Sequence, residues 1–182
     1  MPVIYAGSND GYQAGAINAS WDTVHDHVGQ FNPSTSATYY NFAVGAVYIS
    51  GRNQYFIRRS FFEFDTSGIT STVSSATFSL YINSTSYDNS DLIVVKSGHD
   101  PSDVTEDWHS TWLTGLGGTL SGWSNSDSEV VAYSGQVASG MGAGYVDITL
   151  NSDALADLVS LSSFKIVVMN YSADYQDSAP TT

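Results

Sequence analysis

Cysteine is absent from this chain of 182 residues, so disulfide bonds and thiolate metal sites are excluded. Basic residues are scarce, because only five Lys and Arg stand against 18 Asp and Glu, for a net charge of -13. Binding to nucleic acid or to an anionic membrane needs clustered positive charge, which so few cations do not supply. The composition therefore predicts neither partner, whereas an acidic surface favours cations such as Ca²⁺.

Long hydrophobic runs are also missing, and no run approaches the roughly 18 apolar residues that a membrane-spanning helix needs. The first residues lack the basic and apolar regions of a signal peptide. If the protein works outside the cell, it either has lost its signal or leaves the cell by another route, such as lysis.

Charged residues make up 13% of the chain, about half the usual share. Ser, Thr, Asn and Gly take their place, together with 12 Tyr, 8 Phe and 4 Trp. Neutral polar residues mixed with β-branched and aromatic ones suit a pleated, half-buried surface. The length fits one β-sandwich, so we expect a single domain over residues 1–182.

Alternation of apolar and polar residues is clearest in Gln54–Asp65, which predicts a strand. Large apolar residues fall on both of its faces, so this strand should lie centrally and be covered on both sides. Further strands are predicted at 36–49, 75–82, 91–97, 129–133, 144–150 and 163–170. In the strand at 75–82, Phe78 and Leu80 share one face, while Ser79 and Tyr81 share the other. One short helix is predicted at 152–159, with Ser152 as its cap. The pattern predicts an all-β fold, an antiparallel two-sheet β-sandwich of jelly-roll type with one short helix.

Two adjoining runs, RSFFEFDTSGI at residues 59–69 and VSSATFSLYI at 73–82, resemble the DNRLRE-type (disaggregatase-related) domain. Asp10-Gly11-Tyr12 resembles its opening strand, Glu106-Asp107-Trp108 its acidic-Trp segment, and residues 150–168 its helix and following strand. The resemblance implies a jelly roll like that of carbohydrate-binding modules. Such domains occur in secreted polysaccharide-active proteins, in cell-surface proteins and in phage-like structural proteins.

The C-terminal end departs from that family, whose members continue past a segment like 174–182 with about two further strands. We therefore expect the domain to lack its final strands and to leave an open sheet edge. Open edges pair with strands of other chains, which predicts a contact with other virion or surface subunits there.

Aromatic residues supply the candidate glycan site, because sugar rings stack on aromatic faces. Trp108, Trp112 and Trp123 lie in a long stretch rich in Gly and Asp, where exposed Trp would indicate a role. Tyr39, Tyr40 and Tyr87 are further candidates. The alternative is that these rings fill the core or cover sheet edges.

Oxygen ligands for calcium cluster in two loops, 87–91 and 125–129, with Asp88, Asp91 and Asp127 as the candidate residues. Asp10 is a third position, implied by the resemblance to jelly-roll modules that hold a structural ion. The alternative is that these are ordinary turn carboxylates, since Asp favours turns.

Three weaker patterns bear on a transition-metal site, on glycoside cleavage and on the partners of two arginines. His25-Asp26-His27, read as a strand, would place two imidazoles on one side and offer a transition-metal site. Glu63 and Asp65 share a strand face, but nothing in their spacing indicates the carboxylate pair of a glycosidase. Arg58 and Arg59 need partners in a central strand, and we expect Glu63, Asp65 or loop carbonyls to supply them.

These patterns predict a non-catalytic structural or adhesive surface protein, a virion (phage) surface or decoration component on a carbohydrate-binding-like jelly roll. The alternative is a glycan-binding module of a secreted or cell-surface protein, with structural calcium. An assembly partner, a polysaccharide, or both are the expected ligands.

Overall fold

The computed structural model describes residues 3–7, 10–17, 20–26, 44–83, 91–98, 123–138 and 141–181. Within these ranges seven strands form two antiparallel sheets, one of five strands and one of two. The strands are β1 Gly11–Ile17, β2 Gly45–Ile49, β3 Gln54–Asp65, β4 Thr77–Ile82, β5 Leu92–Lys96, β6 Gly144–Thr149 and β7 Ser163–Asn170. This confirms the predicted all-β sandwich, while the jelly-roll connectivity stays a prediction.

Helical structure is confined to short elements in the described ranges. These are α1 Trp21–His25, a 3₁₀ turn Ser50–Arg52, α2 Ser152–Ser160 and a π-helical turn Tyr171–Tyr175. The predicted helix is therefore confirmed as α2. Its cap is Asn151 and not Ser152, because the Asn151 side chain accepts from the N–H groups of Asp153 and Ala154. None of the helices described here has the length and apolar character needed to cross a membrane.

The larger sheet is built around β3, which pairs with three other strands. Strand β1 pairs with residues 55–61 of β3, β2 pairs with 54–58, and β7 pairs with 60–65. Because a strand has only two edges, β2 and β7 follow one another along the edge opposite β1. Strand β5 pairs with the other edge of β7. The last described strand, β7, is thus internal to the sheet.

One face of this sheet packs against the two-stranded sheet of β4 and β6 and against α2. Phe62 of β3 and Phe78 of β4 meet across the layers with ring centroids 5.3 Å apart. Burying each such side chain stabilises the fold by about 1.5–3 kcal/mol. The remaining buried members of this core are Leu92, Val94, Tyr133, Ile148, Leu150, Ala154, Leu158, Phe164, Ile166 and Val168.

The opposite face of the sheet is covered as well, although no second sheet lies there among the described residues. Phe61, adjacent to Phe62 in sequence, packs with Trp123 and Val130 in a separate buried cluster. Ile57 packs nearby with Trp21 of α1 and with Ala173 of the π-helical turn. The prediction that β3 is covered on both faces is therefore confirmed.

The covering elements are fastened to β3 by a buried ion pair. Arg59 donates from Nε to Oδ2 of Asp174 at 2.8 Å and from Nη2 to Oδ1 at 2.5 Å, and both side chains are fully buried. Arg59 Nη2 also donates to the carbonyl of His25 at 3.4 Å. The partners expected from the sequence were Glu63, Asp65 or loop carbonyls. The carbonyl of His25 belongs to helix α1, and Asp174, which lies 115 residues away, was not among them.

Two sequence predictions in these regions were wrong. Residues 129–133 do not form a strand, since only isolated bridges join Ala132 to Val95 and Val137 to Leu92 along β5. His25 lies in α1 and not in a strand, because Ser20 caps the helix by accepting from the N–H of Thr23. Of the predicted strand at 36–49, the structure shows Gly45–Ile49, and residues 36–43 lie outside the described ranges.

We predict that Arg59→Met lowers the free energy of unfolding by about 3–5 kcal/mol, because it leaves the Asp174 carboxylate buried without its guanidinium partner. Urea unfolding followed by circular dichroism measures the change. The matched control is Lys96→Met, which removes the bridge of Lys96 to Asp157 at 2.7 Å, in which the two side chains are 25% and 22% exposed. That variant should lose about 1 kcal/mol or less. Equal losses in the two variants would contradict the ranking.

Candidate functional site

The outer face of the two-stranded sheet presents six exposed side chains in three cross-strand pairs. The register pairs Thr77 with Thr149, Ser79 with Asp147, and Tyr81 with Tyr145. All six are exposed, while the alternate residues Phe78 and Ile148 are buried in the core. The four residue steps from one end of this face to the other span about 13 Å. We call these six residues the outer face.

Its most prominent feature is the tyrosine pair. The Tyr81 side chain is 59% exposed and that of Tyr145 is 77% exposed. Their ring centroids lie 5.0 Å apart, with the planes at 72° in an edge-to-face arrangement. Single exposed apolar residues are normal on a protein surface, but two large rings in contact form a patch that indicates binding.

Polar groups continue the outer face beside the rings. The Ser79 hydroxyl donates to Oδ1 of Asp147 at 2.6 Å, which fixes the carboxylate against the sheet. Thr77 and Thr149 add two hydroxyl groups in the next pair. An apolar surface flanked by hydroxyl and carboxylate groups can take a ligand that has both C–H faces and hydroxyl groups.

The backbone holds these side chains in place from below. Phe78 and Ile148 are register partners on the inner face and anchor both strands in the main core. At the start of β6, Gly144 has φ of 137°, a conformation that side chains with a Cβ rarely adopt. This glycine immediately precedes Tyr145, so a residue with a Cβ at this position would strain the backbone next to the exposed ring.

Of the residues predicted to bind glycan, the structure describes only Trp123. Its ring is 2% exposed, stacks on His25 with centroids 4.4 Å apart, and lies 5.3 Å from the guanidinium carbon of Arg59. This ring faces the interior, as the alternative interpretation had it, and presents no surface to a sugar. Trp108, Trp112, Tyr39, Tyr40 and Tyr87 lie outside the described residues.

Two of the calcium candidates are engaged within the protein. Asp91 is buried, and its carboxylate accepts hydrogen bonds from Asn170, Ser172 and Gln136. Asp127 accepts from the N–H of Ser124 at 2.8 Å in a tight turn. Asp88 lies outside the described residues. Within the described ranges, no three His, Asp or Glu residues come together as a metal site would require.

Asp10, the third candidate position, lies beside β3 and is buried. Its Oδ1 accepts from the N–H of Glu63 at 3.0 Å. Burial raises the pKa of Asp10 to about 6, the hydrogen bond from Glu63 opposes this rise, and the Glu63 charge adds to it. The ionised form of Asp10 therefore destabilises the folded state near neutral pH.

Contacts within the protein account for the remaining candidate site residues, Arg58 and His25. Arg58 extends over the ring of Phe56, with its guanidinium carbon 4.7 Å from the centroid. Both ring nitrogens of His25 face oxygen atoms, the carbonyl of Asp174 at 2.9 Å and Oδ1 of Asp26 at 2.7 Å. Both ring nitrogens are thus engaged in contacts within the protein, and neither is open to a metal ion. His27 lies outside the described residues.

The outer face was not predicted as a site from the sequence, although one of its two tyrosines had an unusual position there. Tyr81 was placed on the polar side of its strand, which is an unusual position for a large ring in an amphipathic strand. The pairing with Tyr145 depends on the register of two strands 64 positions apart, which local alternation does not fix.

Comparison with known proteins found no matching family model, no matching curated protein and no matching solved structure. The similarity to DNRLRE-type domains therefore stays a prediction from the two residue runs.

We predict that Asp10→Asn is more stable than the unsubstituted protein above about pH 6, by roughly 1–2 kcal/mol after solvent screening is allowed for. The folded state raises this pKa, so Asp10 contributes stability below the unfolded value of 3.8 and loses it as the pH rises through about 6. Asn keeps the acceptor for the Glu63 N–H and carries no charge. Urea midpoints between about pH 3 and 8 measure the difference, which should become small at the acid end, below the unfolded pKa.

Asp65→Asn is the control of opposite sign. Hydrogen bonds from the Ser67 hydroxyl and N–H lower the pKa of Asp65 from 3.8, so its contribution is present at neutral pH and is lost on acidification. Asp65→Asn should therefore be the less stable protein at neutral pH. A stability difference for Asp10→Asn that does not change with pH would contradict the account of Asp10.

Proposed function

We propose that this protein is a non-catalytic adhesive module that binds a surface polysaccharide through its outer face. The observation that carries the proposal is the contact between the exposed rings of Tyr81 and Tyr145 on a sheet whose inner face is buried in the core. Tyrosine rings give a large apolar contact for little loss of conformational entropy, because the side chain has only two χ angles.

Three features of the outer face support a saccharide as the ligand. The rings offer apolar stacking surface, and the Ser79–Asp147 and Thr77–Thr149 pairs offer donors and acceptors for hydroxyl groups. The face is open and about 13 Å long, so it suits a section of a chain and not one small molecule held in a cavity. An adhesive function follows, since a polysaccharide on a surface presents many copies of the same section.

Binding without cleavage fits the chemistry of this face. Glycoside hydrolysis uses two carboxyl groups, one on each side of the scissile bond. Asp147 is the one carboxylate among the six outer-face residues, and it is held by Ser79. The setting of the module, on a virion or on a secreted or cell-surface protein, stays an expectation from the sequence.

We predict that the double variant Tyr81→Ala/Tyr145→Ala weakens saccharide binding by at least about tenfold, or 1.4 kcal/mol, because both stacking surfaces are removed. The measurement is isothermal titration calorimetry with soluble oligosaccharides of neutral, acidic and amino sugars. Unfolding by urea should show little change, because both side chains are mostly outside the core.

Tyr5→Ala is the matched control, since Tyr5 is 84% exposed and does not belong to the outer face. That variant should bind as the unsubstituted protein does. Saccharide binding that survives loss of both outer-face tyrosines would place the site elsewhere, and failure of all three sugar classes to bind would reject the proposed function.

A further inference from the structure

We infer that the outer face selects polysaccharides that contain cationic amino sugars, in preference to neutral or acidic ones. This inference rests on the proposed function and adds the chemical class of the ligand. The proposed ligand is a chain of 2-amino-2-deoxy sugar units. Their C–H faces stack on aromatic rings, and their ammonium groups carry positive charge.

The position of Asp147 carries the inference. Asp147 lies two residues from Tyr145 on the same side of β6, a separation of about 7 Å, and diagonally opposite Tyr81 at about 7–8 Å. An ammonium group that pairs with the Asp147 carboxylate therefore lies next to the tyrosine pair on the same face of the sheet. A cation is attracted to a tyrosine ring as well as to a carboxylate, so both contacts favour the same charge.

Charge across the molecule points the same way. The outer face carries a carboxylate and no cationic side chain among its six residues, and the whole chain has a net charge of -13. A polysaccharide of uronic or sialic acids is repelled by this field, whereas a polycation is drawn toward it. A neutral glucan can still stack on the rings but gains nothing from Asp147.

The test compares four hexasaccharides of one size by calorimetry at about pH 5.5, where the amino groups are charged. The probes are β-1,4-linked glucosamine, its fully N-acetylated form, cellohexaose and hexagalacturonate. We expect the glucosamine hexamer to bind about three- to tenfold more tightly than the two neutral probes, and the uronate to bind least. Raising the salt from about 0.05 to 0.5 M should remove most of that preference.

Asp147→Asn isolates the carboxylate, because the amide oxygen can still accept from Ser79. The variant should lose the preference for glucosamine while its affinity for cellohexaose is unchanged. Asp153→Asn removes the same charge from α2, outside the outer face, and should keep the preference. A preference that both variants keep would show attraction to the whole acidic surface and overturn the inference.

The remaining outcomes separate this inference from the function on which it rests. Equal binding of glucosamine and cellohexaose would contradict selection for amino sugars and leave the proposed function standing. Failure of every probe to bind would reject both.

Discussion

The bidentate ion pair of Arg59 with Asp174 is the interaction on which the layering of this domain depends. A guanidinium in the central strand of a sheet, fully removed from water, is unfavourable unless a carboxylate and further acceptors meet it. Asp174 brings the π-helical turn Tyr171–Tyr175 onto the sheet, and the carbonyl of His25 brings α1. The ring of Trp123 lies against both the guanidinium and the imidazole. One polar contact thereby closes a face that has no second sheet in the part of the chain described.

Both faces of the larger sheet are covered among the described residues. The other face of the larger sheet is covered by β4, β6 and α2, so β3 and β7 have large buried side chains on both sides. The two-stranded sheet is different, because its inner face is in the core and its outer face is open to solvent. Phe78 and Ile148 anchor in the core the two strands that carry the exposed tyrosines. The buried ion pair thus lies on one face of the larger sheet, and the two-stranded sheet that carries the outer face packs on the other.

Local alternation was enough to predict most of the strands, because a half-buried strand records its two faces in every second residue. Gln54–Asp65 was predicted with its observed ends, and β4, β5, β6, β7 and α2 each fell within two residues of theirs. Residues 129–133 were misassigned because their composition is that of a strand. They follow the edge of β5 but pair with it only through an isolated bridge at Ala132. His25 was misassigned because a five-residue helix is too short to show helical periodicity, so that only its Ser20 cap indicated it.

The candidate site was harder to predict, because it depends on contacts between distant segments. Nothing local ties Arg59 to Asp174, and nothing local pairs Tyr81 with Tyr145. Trp123 was a reasonable glycan candidate from composition, yet a large ring beside a buried cation is more stable inside than exposed.

The most direct test of the account is aromatic NMR of the protein with ring-labelled tyrosine, titrated with the oligosaccharide that binds best in calorimetry. The account predicts that the ring signals of Tyr81 and Tyr145 shift together in proportion to occupancy, while those of the buried Tyr133 stay in place. Saturating oligosaccharide that leaves both outer-face tyrosines unchanged would contradict it.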